Sequence, residues 1–193
     1  MSSAALAVRE EDYDEETYEL INGETVMLAA AAIPHLRIQG YLARKIGNYL
    51  VGKKCEVFAE AKVVFDDKNW LQPDILVVCD QNKVKRSHIQ GAPDFVAEIL
   101  SPSTQYRDFT VKKDIYEKYG VREYWLIDPM AKNVFVHLLE NGKYRLKGIY
   151  HNYDDEDWAE LTEKQRAAQK LSLKLSLYDD LEISLKELFQ RQR

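Results

Sequence analysis

The chain has 193 residues, 46% apolar and 31% charged, a balance that permits a buried core and excludes disorder along the whole length. Its formal net charge of −5 argues against tight nucleic-acid binding by bulk electrostatics, though not against one local contact patch. No stretch approaches the ~18 uninterrupted apolar residues of a membrane helix, and the acidic start MSSAALAVREEDYDEE fits neither a signal nor a transit peptide, so a cytoplasmic protein with no membrane partner is the expectation.

There is no internal repeat and no Gly/Ser-rich or Pro-rich linker, so one domain over 1–193 is expected, with an acidic lead-in over about 1–17. Residues 18–28, YELINGETVML, read as a β-hairpin turning at Asn22-Gly23. Apolar residues at 38, 41, 42, 46, 49 and 50, with Pro34 near the start, predict a helix over 34–51. Residues 55–66 read as one strand. The runs PDILVVC (73–79) and DFVAEIL (94–100) are short and nearly continuously apolar, as in central strands covered on both faces. Ser101-Pro102-Ser103-Thr104 breaks the second run, and a helix is predicted over about 106–119, stopping at Gly120. Residues 121–128 predict a further strand and 132–149 a hairpin around Glu140-Asn141-Gly142. Residues 151–170 are polar, a loop with a short helix, and 181–190 read as a closing helix. The order implies an α/β fold: a central mixed β-sheet flanked by helices, with an N-terminal hairpin. Cys55 and Cys79, the only cysteines, are expected as free thiols. The four histidines lack metal-ligand spacing and no CxxC occurs, which argues against zinc.

Three charges stand where a core is expected. Asp74 begins one central run and Glu98 lies inside the other. An isolated carboxylate in a central strand costs several kcal/mol to ionise, order of magnitude, so each needs a cation, a hydrogen-bond network or a metal. For Asp74, capping a loop or pairing with an arginine is an equal alternative. At about 100° per residue, Phe109, Val111, Ile115, Tyr116 and Tyr119 form an apolar arc on the helix, opposite Thr110, Lys113, Asp114 and Glu117. Lys112 and Asp108 fall within the apolar arc, about one turn apart. Lys112 either snorkels and pairs with Asp108 alone or points back at Glu98. Two carboxylates and a lysine are what metal-assisted phosphodiester hydrolysis requires: oxygen ligands for Mg²⁺, and a cation for developing phosphate charge.

The segments Gln72-Pro73-Asp74, Glu98-Ile99-Leu100-Ser101-Pro102-Ser103-Thr104, Arg107-Asp108 with Lys112 and Tyr116, and Gly120-Val121-Arg122-Glu123-Tyr124-Trp125 resemble a large bacterial family of putative restriction endonucleases within the PD-(D/E)XK nuclease superfamily. Tyr18-Glu19-Leu20-Ile21, Gly23-Glu24 and His35 are also similar to that family, and the likeness runs from Tyr18 to about Leu139, fading beyond about residue 150. The resemblance implies a restriction-endonuclease-like core. It also implies a metal site of Asp74, Glu98 and the Ile99 backbone carbonyl holding Mg²⁺ or Mn²⁺, with Lys112 as third catalytic residue and Glu19, His35 and Asp108 as additional site residues. Leu100 stands where the parent motif carries lysine, and Lys112 on the next helix takes its place.

The leading expectation is a metal-dependent endonuclease cutting DNA, as a homodimer because two symmetry-related sites serve two strands. A catalytically silent nuclease fold used for binding or regulation is the alternative, and a hydrolase of another phosphate substrate is a third reading. Arg37, Arg44 and Lys45 on the first helix, and the Lys83, Lys85, Arg86 loop, are either substrate contacts or solvated surface charge. Ser101 and Thr104 either bind a phosphate or cap the helix.

Overall fold

The computed structural model describes residues 18–190; the acidic lead-in over 1–17 lies outside them. β1 (Tyr18–Ile21) and β2 (Glu24–Met27) form the expected hairpin. Asn22 and Gly23 at its turn have φ of 53° and 85°, the left-handed pair that a tight two-residue connection needs. Helix α1 (Ile33–Leu50) carries proline in its first turn and buries Ile38, Tyr41, Leu42, Ile46 and Leu50, the predicted stripe.

The single strand expected over 55–66 is two, β3 (Glu56–Ala59) and β4 (Val63–Val64), lying in different sheets. The break falls at Glu60, whose φ is 54° and whose N–H donates to the Pro73 carbonyl at 3.1 Å. An alternating pattern carries no mark of such a kink. β5 (Trp70–Leu71), β6 (Ile75–Val78), β7 (Ile89–Gln90) and β8 (Phe95–Ile99) follow. The predicted helix is composite: α2 (Gln105–Arg107), a π turn over Asp108–Lys112, and α3 (Lys113–Tyr119). It ends at Gly120, φ 87°, a left-handed cap at no steric cost. β9 (Glu123–Asp128), then the hairpin β10 (Asn133–Glu140) and β11 (Lys143–His151), match the expectation. The polar segment holds α4 (Asp155–Glu160) and α5 (Glu163–Ala168). The closing helix is shorter than predicted. β12 (Ser172–Lys174) pairs with β13 (Glu182–Ser184), and only Leu185–Phe189 form α6, with Ser184 accepting a hydrogen bond from the Glu187 N–H at its start.

The main sheet runs β11-β10-β9-β8-β6-β3 and is mixed, because β8 and β9 are parallel while their neighbours pair antiparallel. A smaller sheet, β2-β1-β5-β4-β7, carries the N-terminal hairpin. Side chains alternate across a strand, which gives the main sheet two cores. Ile75, Val77, Phe95, Ala97, Ile99, Trp125 and Ile127 face α1 and the C-terminal leucines, among them Leu173, Leu185 and Leu188. Leu76, Val78, Val96, Leu126 and Tyr124 face Ile115 and Tyr116 of α3 and residues of the smaller sheet. The segment after residue 170 thus shares the α1 core although its sequence likeness to the family had faded.

Cys55 and Cys79 are not free thiols; they form a disulfide. The antiparallel register pairs Glu56 with Val78, so the residues just outside that pair meet across the strands. The expectation rested on cellular redox habit, and strand register decides the contact instead. Among the described residues no helix is long and apolar enough to cross a membrane.

Candidate functional site

Residue 98 has the parity of Val96, so Glu98 points from the middle of the sheet toward α3 and is 3% exposed. Asp74 precedes β6, the antiparallel neighbour of β8. Its Oδ2 accepts the Ile99 N–H at 2.6 Å, its own N–H lies 3.5 Å from Glu98 Oε2, and its Oδ1 is 2.9 Å from His35 Nε2 on α1. Gln39, one turn further along α1, donates to the Asp74 carbonyl at 3.3 Å. The two expected acids therefore sit side by side, tied through backbone of both strands.

Lys112 comes down on them from the helix. Its Nζ lies 3.0 Å from Glu19 Oε1, 3.2 Å from Glu98 Oε1 and 3.6 Å from Asp108 Oδ1. The reading in which it snorkels and pairs with Asp108 alone is thus replaced by a contact with three carboxylates. The π turn over Asp108–Lys112 carries both charged residues, a placement typical of π-helical segments at functional sites. Tyr124 from β9 donates to the Asp108 carbonyl at 2.9 Å and braces that turn against the sheet. Glu19, on β1, is fully buried and accepts the Gln72 N–H at 2.9 Å, which brings the N-terminal hairpin into the site.

Burial dominates the electrostatics. It drives the Glu98 carboxyl well above the usual range, opposed by Lys112 and reinforced by Asp74, Asp108 and Glu19. Asp108 is raised for the same reason, with Lys112 and the Thr104 hydroxyl working the other way. Burial disfavours charge on Lys112, but Glu98, Glu19 and Asp108 outweigh it and raise its pKa, so the amine stays protonated. For His35 burial again opposes the proton, yet the Asp74 hydrogen bond and the fields of Asp74, Glu60 and Asp108 raise it.

His35, Asp74, Glu98, Asp108 and Lys112 line a cleft of 540 Å³, walled by Leu28–Ala32 before α1, Ser101–Thr104 after β8, and the Pro129-Met130 turn; Glu19 lies buried behind the lysine. Four carboxylates, Glu19, Asp74, Glu98 and Asp108, face one lysine and one histidine. Glu19 Oε2 and Asp108 Oδ1 are buried with no hydrogen-bond partner among the described residues. An excess of hard oxygen donors with orphaned acceptors suits a divalent cation of the Mg²⁺ or Mn²⁺ type. No group of three or more His, Cys, Asp or Glu among the described residues forms a preformed cage.

Sequence reasoning missed the second role of Tyr116, which lies in the apolar arc but donates its hydroxyl to Glu98 Oε1 at 2.6 Å. It also missed Gln39 and Glu60. A tyrosine one turn after the buried lysine was the available signal for the first; nothing local marks the others. Three of the six basic residues weighed as substrate contacts or surface charge are engaged within the chain. Lys45 pairs with Glu187 at 3.6 Å, Lys83 donates to the Ala92 carbonyl at 2.8 Å, and Lys85 donates to the Asn82 carbonyl at 2.6 Å. Ser101 Oγ sits 3.1 Å from Ser103 Oγ and 3.0 Å from Thr104 Oγ1, a hydroxyl cluster at the cleft rim, and Thr104 makes no side-chain cap.

A family model described as "Putative restriction endonuclease" (Uma2) matches residues 5–177, extending past the point where the residue-level likeness fades. Two proteins of Synechocystis sp. PCC 6803 are similar over most of their length. "Uncharacterized protein slr1290" is 27% identical over 166 residues, covering 85% of this chain and 80% of the relative. "Uncharacterized protein sll1609" is 26% identical over 137 residues, covering 68% and 77%. A crystal structure of a putative nuclease belonging to DUF820 from Anabaena variabilis matches 91% of this chain and 90% of its own with a TM-score of 0.69 at 24% identity, a likeness of fold.

Proposed function

The chain belongs to the Uma2 family, described as putative restriction endonucleases, and on that premise we propose that its cleft is a metal-dependent phosphodiesterase site acting on DNA. The observation that carries the reading is that Asp74, Glu98 and Asp108 line an open cleft together with Lys112, whose amine meets Glu98, Asp108 and the buried Glu19. A purely structural charge cluster would be balanced and closed; this one is over-acidic and faces solvent space.

Asp74, Glu98 and the Ile99 carbonyl would hold Mg²⁺ or Mn²⁺. When bound, such an ion polarises a phosphoryl oxygen and lowers the pKa of a coordinated water. The chain's own part is positioning. Lys112, fixed by Glu19, Glu98 and Asp108, places a permanent cation beside Glu98 to stabilise charge developing on the phosphate. Tyr116 holds Glu98 from below the cleft floor. His35 fixes Asp74 Oδ1 while the Ile99 N–H fixes Oδ2, so the carboxylate has one orientation. Glu19 and Asp108 keep the lysine charged and aimed. A cytoplasmic location and a homodimer, one site per DNA strand, go with this activity.

Metal titration by calorimetry, paired with plasmid nicking, tests the reading. Wild type is expected to bind Mn²⁺ or Mg²⁺ in the millimolar range or tighter and to nick DNA, and Asp74→Ala and Glu98→Ala to lose both. Cleavage that persists in Glu98→Ala and Lys112→Ala sinks the assigned site. One observation favours a second reading: both Asp74 oxygens already have protein donors, as in a site that has become a silent binding module. In that case wild type and Asp74→Ala give the same metal titration. Hydrolysis of a small phosphate ester with no action on DNA would instead point to another phosphate substrate.

A further inference from the structure

The cleft does not stop at its acidic floor. Pro34 on α1 and Pro129 after β9 wall it on one side, and the same two residues wall a second hollow of 240 Å³. The second hollow has the opposite electrostatic character. Among the described residues Arg37 and Lys132 line it and no acid does, and its apolar surface comes from Ile38, Leu188 and Phe189.

Its geometry is fixed from three directions. Pro34, Arg37 and Ile38 lie at the i, i+3, i+4 spacing that shares one face of α1, while His35 is turned toward the first cleft. Ile38 and Leu188 are 3% and 2% exposed, so the floor belongs to the core. Lys132 stands in the β9–β10 turn at φ 52°, a conformation that costs a non-glycine residue energy. Asp128 Oδ1 holds that turn by accepting the Met130 and Ala131 N–H groups at 2.8 and 2.9 Å. Arg37 has no ion pair with a described residue. Lys132 has only Asp154 at 3.8 Å, with both side chains 40% or more exposed, a pair worth little in water and easily exchanged for another anion.

We propose that this second hollow is the subsite for a phosphate flanking the scissile one, with Arg37 and Lys132 as its cation pair and the apolar floor receiving the sugar or base. The inference rests on the phosphodiesterase reading for which group is cut, but the subsite itself is a binding claim. It assigns the substrate as a nucleic-acid strand that crosses the Pro34–Pro129 saddle, not a mononucleotide held wholly in the acidic cleft. The arrangement also answers how an acidic protein engages a polyanion: two cations share one hollow beside the carboxylates of the cleft.

Fluorescence anisotropy with a labelled single-stranded oligonucleotide, in magnesium buffer and in EDTA, tests it. Arg37→Ala/Lys132→Ala is expected to weaken binding about tenfold at moderate salt and to lower the magnitude of the log–log salt slope by about 0.7, the contribution of one phosphate neutralised on a single strand. Lys132→Glu, which removes the same two units of charge, should weaken binding to a similar extent, and Asp154→Asn, which keeps a helix-capping side chain, should tighten it by releasing Lys132. Unchanged affinity and salt slope in the double variant overturn the subsite even if wild type cleaves DNA. The same holds if Asp154→Asn leaves affinity unchanged while the double variant loses secondary structure by circular dichroism. Loss of binding in the double variant with no cleavage by wild type keeps the subsite and removes the phosphodiesterase reading.

Discussion

Replacing Lys112 by methionine keeps most of its apolar stem and removes the charge. Three carboxylates lie within 3.0, 3.2 and 3.6 Å of the Nζ, each 4% exposed or less in its side chain, and no other amine among the described residues contacts them. Breaking a buried pair by removing one partner costs about 3–5 kcal/mol. The carboxylates respond by taking up protons. Burial already holds Glu98 and Asp108 above their ordinary pKa values of 4.5 and 3.8, and Lys112 is what opposes that rise. Without it the folded pKa values climb further, the folded state binds more protons than the unfolded one, and stability falls as pH rises above the ordinary carboxylate range. Urea denaturation across pH should therefore show a small deficit near about pH 4 and the full ~3–5 kcal/mol near neutrality. A deficit that is constant with pH, or no deficit at neutrality, would refute the claim that Lys112 neutralises the buried acids.

Reducing the Cys55–Cys79 disulfide, or making Cys55→Ser/Cys79→Ser, should cost about 3 kcal/mol by the chain-entropy argument for a separation of 24 residues; denaturant midpoints with and without reductant measure it, and coincident midpoints contradict it. Glu123→Ala leaves the Trp125 indole N–H and the Ser176 N–H and hydroxyl, now at 2.6, 2.8 and 2.6 Å from its carboxylate, without an acceptor. The expected loss is about 1–3 kcal/mol, read by thermal melting, and a neutral outcome means water replaces the carboxylate. Burial lowers the His137 pKa, assisted by Lys113, so the folded state takes up its proton later than the unfolded one. His137 therefore costs stability as pH falls below about 6.5, and His137→Phe should flatten the acid limb of the stability profile there.

Much of the site was legible because it rests on simple periodicities. Glu98 stood out as a charge in an unbroken apolar strand, and alternation alone places it on the face of Val96. Lys112 stood out as a charge within a helical apolar arc. The same arc misled elsewhere: it assigned Phe109 to the buried stripe, yet Phe109 is 38% exposed and meets Phe135 edge-on. A constant 100° step presumes an unbroken α-helix, and the π turn at Asp108–Lys112 alters the step where the site needs it. Glu60, Gln39 and the Cys55–Cys79 bond escaped for a different reason. Each depends on which strands become neighbours, through a left-handed kink, a helix laid across a sheet or a strand register. The expected Asp108–Lys112 pairing, by contrast, was local and appears.

The alternating faces of β8 also carry a consequence for sequence drift. Phe95, Ala97 and Ile99 turn their side chains into the apolar α1 core, where volume-conserving exchanges are tolerated best. Glu98, one residue out of phase, has Oε1 committed to Lys112 and Tyr116 and Oε2 beside the Asp74 N–H. Neutral replacement should therefore proceed along one side of a five-residue strand and stall on the other. A saturation library scored for folding should show tolerance that flickers with a period of two. Scored for DNA cleavage, the same library should narrow at residue 98 to the parent acid alone.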